Sequence, residues 1–406
     1  MPSQAGLQSL KSAAIPLERN YFVGMGMPMK NPALQHCDLT VGGDQRCCCH
    51  RHGPSGTSRR QLLSALAIAA AGVILESNRS FGQTPLPPGD QKPHRIDVHH
   101  HIVPPQYIAE EPVHNWLMSQ TVNRQTILEW TPAKAVEEMD KDGIATAVSS
   151  ISVPGVWFDD VALGRRLARD WNEYGASLMR QYPGRFGLFA TIPLPDTEGS
   201  LKEIEYALDV LKADGIGLFT SYGNKYPGDA SFLPVFEELN RRKAVVYFHP
   251  TTPACCRGLT PGVPAPLIEY PTDTTRAIMH ILMSGLAARM PDIRFVFSHA
   301  GGTMTAAVGR FASLIPNTES LSQRLPHGLE YELAKFYYDT ANSAAPITMD
   351  ALMKLVPVSH IMLGTDSPFV PVSVTVDALE KLGLSRVDLQ AIETDNALAL
   401  LPQLKA

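Results

Sequence analysis

Residues 95–102 read Arg95-Ile96-Asp97-Val98-His99-His100-His101-Ile102. The stretch is apolar and β-branched, with three histidines at its end, and its preferred conformation is a strand. Side chains alternate across a strand, so His99 and His101 share a face while Ile96, Val98 and His100 are expected on the other, towards covering helices. Three consecutive histidines thus become two candidate metal ligands and a bystander. Neutral imidazole is a common zinc ligand, and two imidazoles on one strand make a rigid bite. The competing reading, a surface or tag-like tract, fits poorly with an Asp-containing strand directly before it.

Seven further apolar runs follow, over 144–151, 186–191, 215–219, 244–249, 293–299, 336–339 and 360–363. Amphipathic stretches alternate with them over 132–142, 160–181, 201–213, 232–242, 274–289 and 347–355. Thr131-Pro132 supplies an N-cap and an N1 proline, and Gly143 and Gly215 stand where helices are expected to stop. Eight βα units, with no G-x-G-x-x-G after the first strand, favour a closed (β/α)₈ TIM barrel over an open doubly wound sheet. The long interval from His101 to Pro132 is expected to form a loop or small lid holding Trp116 and Trp130. Barrel enzymes place their chemistry where the strands end. In this chain the apolar runs end in His99 and His101, then His249, then His299, and Asp366 follows the last run after Gly364-Thr365.

The expected metal set is therefore His99, His101, His249 and Asp366, with Asp366 also able to exchange protons. A lone histidine such as His249 is often a hydrogen-bonded core residue; the paired histidines on strand one argue for a third ligand. His299, in Phe-Ser-His-Ala-Gly-Gly, is expected beside the metal as an acid-base residue. His94, His114, His280, His327 and His360 lack such placement and read as structural. Asp339-Thr340-Ala341 reads equally well as pocket lining or as an ordinary turn.

The chain has 406 residues, 44% hydrophobic and 18% charged, with a formal net charge of -5. That supports one large core and gives no clustered basic surface for nucleic acid or an anionic membrane. None of the six cysteines has C-x₂-C zinc spacing. Cys255 and Cys256 are expected to be ordinary thiols, since adjacent cysteines strain the peptide they would bridge. Ser58-Arg59-Arg60-Gln61 precedes an uncharged run over residues 62–75, too short for a comfortable transmembrane helix. It resembles a twin-arginine export signal. The expected organisation is a non-native or disordered extension over 1–57, with translation starting at Met25, Met27 or Met29. A signal over 58–83, a linker over 84–94 and a barrel over 95–406 follow, implying a periplasmic or exported protein with no stable membrane anchor.

Asp97-x-His99-x-His101, Phe248-His249-Pro250, Ser298-His299-Ala300-Gly301-Gly302 and Gly364-Thr365-Asp366 occur in this order. From Arg95 onward the chain resembles the amidohydrolase superfamily, most closely its branch of aminocarboxymuconate-semialdehyde, γ-resorcylate and 6-methylsalicylate decarboxylases. The resemblance implies one zinc or manganese on His99, His101, His249 and Asp366, with His299 catalytic. It also implies non-oxidative decarboxylation of a small aromatic or enoic acid, and a homodimer as the assembly to test. Strand four lacks the lysine that binuclear relatives carbamylate; Lys225 reads as a solvated loop residue. Arg257 and Arg276 are substrate-clamp candidates by charge alone. The same site could instead hydrolyse an ester, lactone or amide, and a third reading is an exported barrel that binds metal without turnover.

Overall fold

The structure, a computed structural model, describes residues 94–404 apart from 121, 122, 318 and 326. The expected extension, export signal and most of the linker lie outside the described residues, as do Cys37 and Cys47 to Cys49.

Eight strands form one parallel sheet in sequence order: β1 Arg95–His101, β2 Ile144–Ser150, β3 Phe186–Thr191, β4 Gly215–Phe219, β5 Val245–His249, β6 Arg294–Phe297, β7 Tyr337–Asp339 and β8 Ile361–Met362. β8 pairs with β7 over only two residues, and the sheet closes onto β1 through separate hydrogen bonds. Val98 N–H donates to the Leu363 carbonyl at 2.9 Å, Asp366 N–H to that of His99 at 2.8 Å, and His101 N–H to that of Ser367 at 2.7 Å. Asp97 ties the same seam from β1: it accepts from the Thr365 amide at 3.0 Å and the Thr365 hydroxyl at 2.6 Å.

The β1–β2 register shifts twice, between Arg95 and Ile96 and between Asp97 and His100, and the second shift aims the site. Asp97 pairs with Ala147 but His100 with Ser149, so three steps along β1 match two along β2. This is a β-bulge, and it reverses the parity of Ile96 to Val98 relative to the residues after it. Ile96 and Val98 are therefore not on the helix side, as strict alternation predicts. They join Val148, Phe189, Tyr247, Val296 and Met362 in a cluster drawn from strands around the barrel. Asp97 lies instead beside His100, with Oδ2 3.2 Å from its Nδ1. Past the bulge His99 and His101 turn inward together. Ala397, Leu400 and Leu401 pack onto the same interior cluster, so the C-terminal helix Asn396–Leu400 covers its lower end.

A larger cluster fills the layer between strands and helices, including Leu188, Ile216, Phe248, Phe297 and Leu363. The helices follow the expected spans with explicable shifts. Thr131 caps Pro132–Lys141 by accepting from Lys134 N at 3.2 Å, and Gly143 takes φ 72° just after it. Asp196 caps Thr197–Glu205, starting that helix four residues before the expected 201. Gly215 is not the next helix stop: Lys212 takes the left-handed turn at φ 59°. Gly215 opens β4, where a Cβ would meet the Val245 carbonyl at 2.6 Å. Helix Ala265–Met283 begins nine residues before the expected 274 and contains Pro271. The Pro271 carbonyl accepts from Thr303 N at 3.1 Å, tying this helix to the turn after β6. The expected lid is helical, Pro105–Ala109, Glu111–Ser119 and Arg124–Leu128. It has its own small core of Val103, Leu117 and Ile127, with Trp116 and Trp130 packed against it. No helix among the described residues is long and apolar enough to cross a membrane.

Candidate metal centre

His99 and His101 project from β1, His249 ends β5, and Asp366 follows β8. One ligand atom from each lies within 4.8 Å of all the others, and all four residues are buried. The Nε2 atoms of His99 and His101 are 3.1 Å apart, and Asp366 Oδ1 lies 3.3 and 3.1 Å from them. Each imidazole is fixed from behind at Nδ1. His99 donates to Asp339 Oδ2 at 2.9 Å, His101 to the Ser150 carbonyl at 2.9 Å, and His249 to the Pro250 carbonyl at 2.9 Å. That tautomer leaves Nε2 of each ring as the lone-pair donor, which a divalent ion requires. The donor set of three nitrogens and one carboxylate oxygen suits zinc or manganese.

The local charge balance agrees. Burial disfavours a charged His99, but the carboxylates of Asp339 and Asp366 outweigh it and raise its pKa to about 10. Burial holds His101 below its ordinary value, and burial with the adjacent His101 and His99 holds His249 well below. Asp366 stays well below the usual carboxylate range against its own burial, through the charge of His99 and its close contacts with the His101 and His299 rings. Two carboxylates thus hold one positive charge among three rings, the charge a bound cation would replace on releasing a proton.

Asp366 divides its oxygens. Oδ1 faces the two β1 histidines; Oδ2 accepts from Asn342 Nδ2 at 2.6 Å and lies 3.5 Å from His299 Nε2. Asp366, His299 and Asn342 all adopt left-handed backbone, at φ 67°, 54° and 53°, a strained conformation that tends to gather at functional sites. Gly364 makes the approach possible, since a Cβ there would fall 2.7 Å from that of His99 and 2.8 Å from that of Asp339.

The residue most underrated from sequence is Asp339. Fully buried at the end of β7, it accepts from His99 Nδ1, from Tyr247 Oη at 2.9 Å, and from the His299 and Ala341 amides at 2.9 and 3.0 Å. The strand-end rule that found His249 also marks Asp339; its local sequence alone could not separate it from a turn. Tyr247 and Asn342 carried no such signal. Asp339→Asn has a predictable effect. Its oxygen would be claimed by the two amides, so its NH₂ would face His99. His99 would then accept at Nδ1 and carry its proton on Nε2, the metal-facing atom. Metal affinity is expected to fall ~10–100-fold with the fold intact. Titration with a metallochromic competitor checks this, and unchanged affinity would refute the tautomer argument.

Two cavities adjoin the centre. One is almost wholly apolar and runs from His101 to Tyr107, Trp116, Leu117, Ile151 and Phe369, with the Phe369 and His101 rings 5.2 Å apart. The other is lined by Phe219, Ser221, Thr251 and Arg257, and the Phe219 ring stands 6.1 Å from that of His249. Arg257 therefore reaches a cavity wall. Arg276 does not line either cavity; its Nη1 is 3.7 Å from Asp273 Oδ1. Lys225 bonds Ser231 Oγ at 2.8 Å from an exposed loop, away from the ligands.

The amidohydrolase family model (Amidohydro_2) matches residues 96–403, a span that contains every ligand described. The chain belongs to the amidohydrolase family. Within that family it falls in the decarboxylase-like branch. It is 34% identical to 6-methylsalicylic acid decarboxylase of Penicillium expansum over 330 residues, 77% of this chain and 97% of that one. It is 35% identical to decarboxylase yanB of Aspergillus niger over 333 residues, 76% of this chain and 88% of the relative. Among solved amidohydrolase-fold structures it resembles a dihydroxybenzoic acid decarboxylase from Polaromonas with bound manganese and 2-nitroresorcinol. The TM-score is 0.68 at 20% identity, covering 77% of this chain and 98% of that one.

Proposed function

We propose that this chain is a metal-dependent non-oxidative decarboxylase of a small aromatic acid, with 6-methylsalicylate or a related hydroxybenzoate as substrate. The observation that carries the reading is the divided carboxylate of Asp366, one oxygen among the ligand histidines and the other beside His299 and Asn342. It joins metal binding to proton handling in one residue. A divalent ion held by His99, His101, His249 and Asp366 would supply an electrophilic centre that orients the acid and draws off negative charge. His299 holds a proton at Nε2 opposite Asp366 Oδ2, and Asn342 fixes that oxygen. The proton passes to the ring carbon bearing the carboxylate; that carbon–carbon bond then breaks, its electron pair restores the ring's conjugation, and CO₂ leaves. The apolar cavity beginning at His101 would take the ring's alkyl-bearing edge.

Manganese in a related structure and decarboxylase names among the relatives support this reading. The hydrolase alternative draws no comparable support. The test is product analysis with protein loaded with zinc or manganese and offered 6-methylsalicylate and 2,6-dihydroxybenzoate. Equimolar CO₂ and the decarboxylated phenol are expected. Turnover of esters or lactones without CO₂ release would reject the lyase.

A further inference from the structure

Cys255 and Cys256 lie in the loop that follows His249, within the short turn Ala254–Cys256. Their Sγ atoms are 2.9 Å apart. Cys255 is exposed and Cys256 is buried. A disulfide needs about 2.05 Å, so a closure of roughly 1 Å separates two thiols from a bond. The exposed thiol is the one a reagent meets. The Cys256 thiol is held above its ordinary value, first by its hydrogen bond with Cys255 and next by burial, with the Arg276 guanidinium opposing. This makes Cys255 the attacking sulfur and Cys256 the resolving one. The bridge would span a single peptide, shorter than relaxed disulfides favour, and such strained bonds reduce easily. Strain argues against a permanent bridge and for a reversible one.

The pair also stands where a change would be felt. Thr251 and Thr252 before it and Arg257 after it line the cavity that Phe219 also lines. Gly258 and Gly262 follow at φ 70° and 82°, with open space around each, so the loop has room to adjust.

We propose that Cys255 and Cys256 form a redox-active vicinal dithiol, a modification site for small-molecule disulfides, whose oxidation reshapes the mouth of the barrel. Cys255 thiolate attacks the reagent disulfide, forming a mixed disulfide and releasing one thiolate. Cys256 loses its proton, attacks the Cys255 sulfur and releases the second. Two protein thiols are oxidised, the reagent disulfide is reduced to two thiols, and two electrons are transferred.

The experiment uses the full metal-loaded chain, treated with oxidised glutathione, alkylated and digested with trypsin, which cuts after Lys243 and Arg257. The peptide 244–257 is expected unalkylated and lighter by two hydrogens, and dithiothreitol restores both thiols. Cys255→Ser should abolish that species and leave untreated activity unchanged. Recovery of the peptide with both cysteines alkylated, or with a lasting glutathione adduct, would overturn the pair. A second arm rests on the decarboxylase reading: oxidation should raise KM severalfold with kcat little changed and metal retained. An unchanged KM would overturn the link to the mouth, while the peptide mass stands whether or not the substrate reading holds.

Discussion

The double substitution His99→Ala/His101→Ala is expected to leave a folded barrel that holds no stoichiometric divalent metal and has no turnover above the metal-free protein. Two of the four clustered donors come from these adjacent inward positions. The remaining pair, His249 and Asp366, offers one nitrogen and one carboxylate from opposite sides of the site. Removing a group that only orients a ligand costs ~10–100-fold in metal affinity, and removing two ligands must exceed that. Asp339 would keep its bonds from Tyr247 and from the His299 and Ala341 amides, so its carboxylate is not left unpaired and the fold is expected to survive. Metal analysis of wild type and variant after reconstitution decides it. About one ion per chain in both would remove these histidines from the site.

Replacing His299 should separate proton handling from metal binding. Its Nε2 faces Asp366 Oδ2, the oxygen turned away from the β1 histidines, and it is not one of the four clustered donors. His299→Asn is the better variant than alanine, because asparagine tolerates the left-handed backbone at φ 54°. Loss of a positioned acid-base group typically costs ~10²–10⁴-fold. The expected result is a fall of that size in kcat with metal content and thermal stability unchanged. Turnover close to wild type would assign His299 a structural role, and loss of metal would make it a ligand.

Much of this arrangement was legible in the sequence because it rests on periodicity. Each of the eight strands falls within a few residues of its expected run, and the rule that polar residues at strand ends carry chemistry located His99, His101, His249, His299 and Asp366. What was not legible depends on non-local pairing. The bulge between Asp97 and His100 leaves no mark in composition, yet it decides which side of β1 faces inward. Simple alternation found the partnership of His99 with His101 and misplaced Ile96 and Val98. The helix expected from 274 starts at Ala265 and runs through Pro271, an extension that the 274–289 periodicity did not reach. Asp339 stayed undecided between pocket lining and turn because its partners, Tyr247 and the His299 amide, are 92 and 40 positions away.

The seam between β8 and β1 gives the ligand set a mechanical meaning. It is held by individual hydrogen bonds and the grip of Asp97 on Thr365 rather than by a regular strand ladder. His99 and His101 stand on one side of it and Asp366 on the other. An ion held among them is a clasp fastened across the place where the cylinder would unroll. Breathing of the empty protein should concentrate there, with the amides of Val98 and Asp366 exchanging their hydrogens faster than when the clasp is shut.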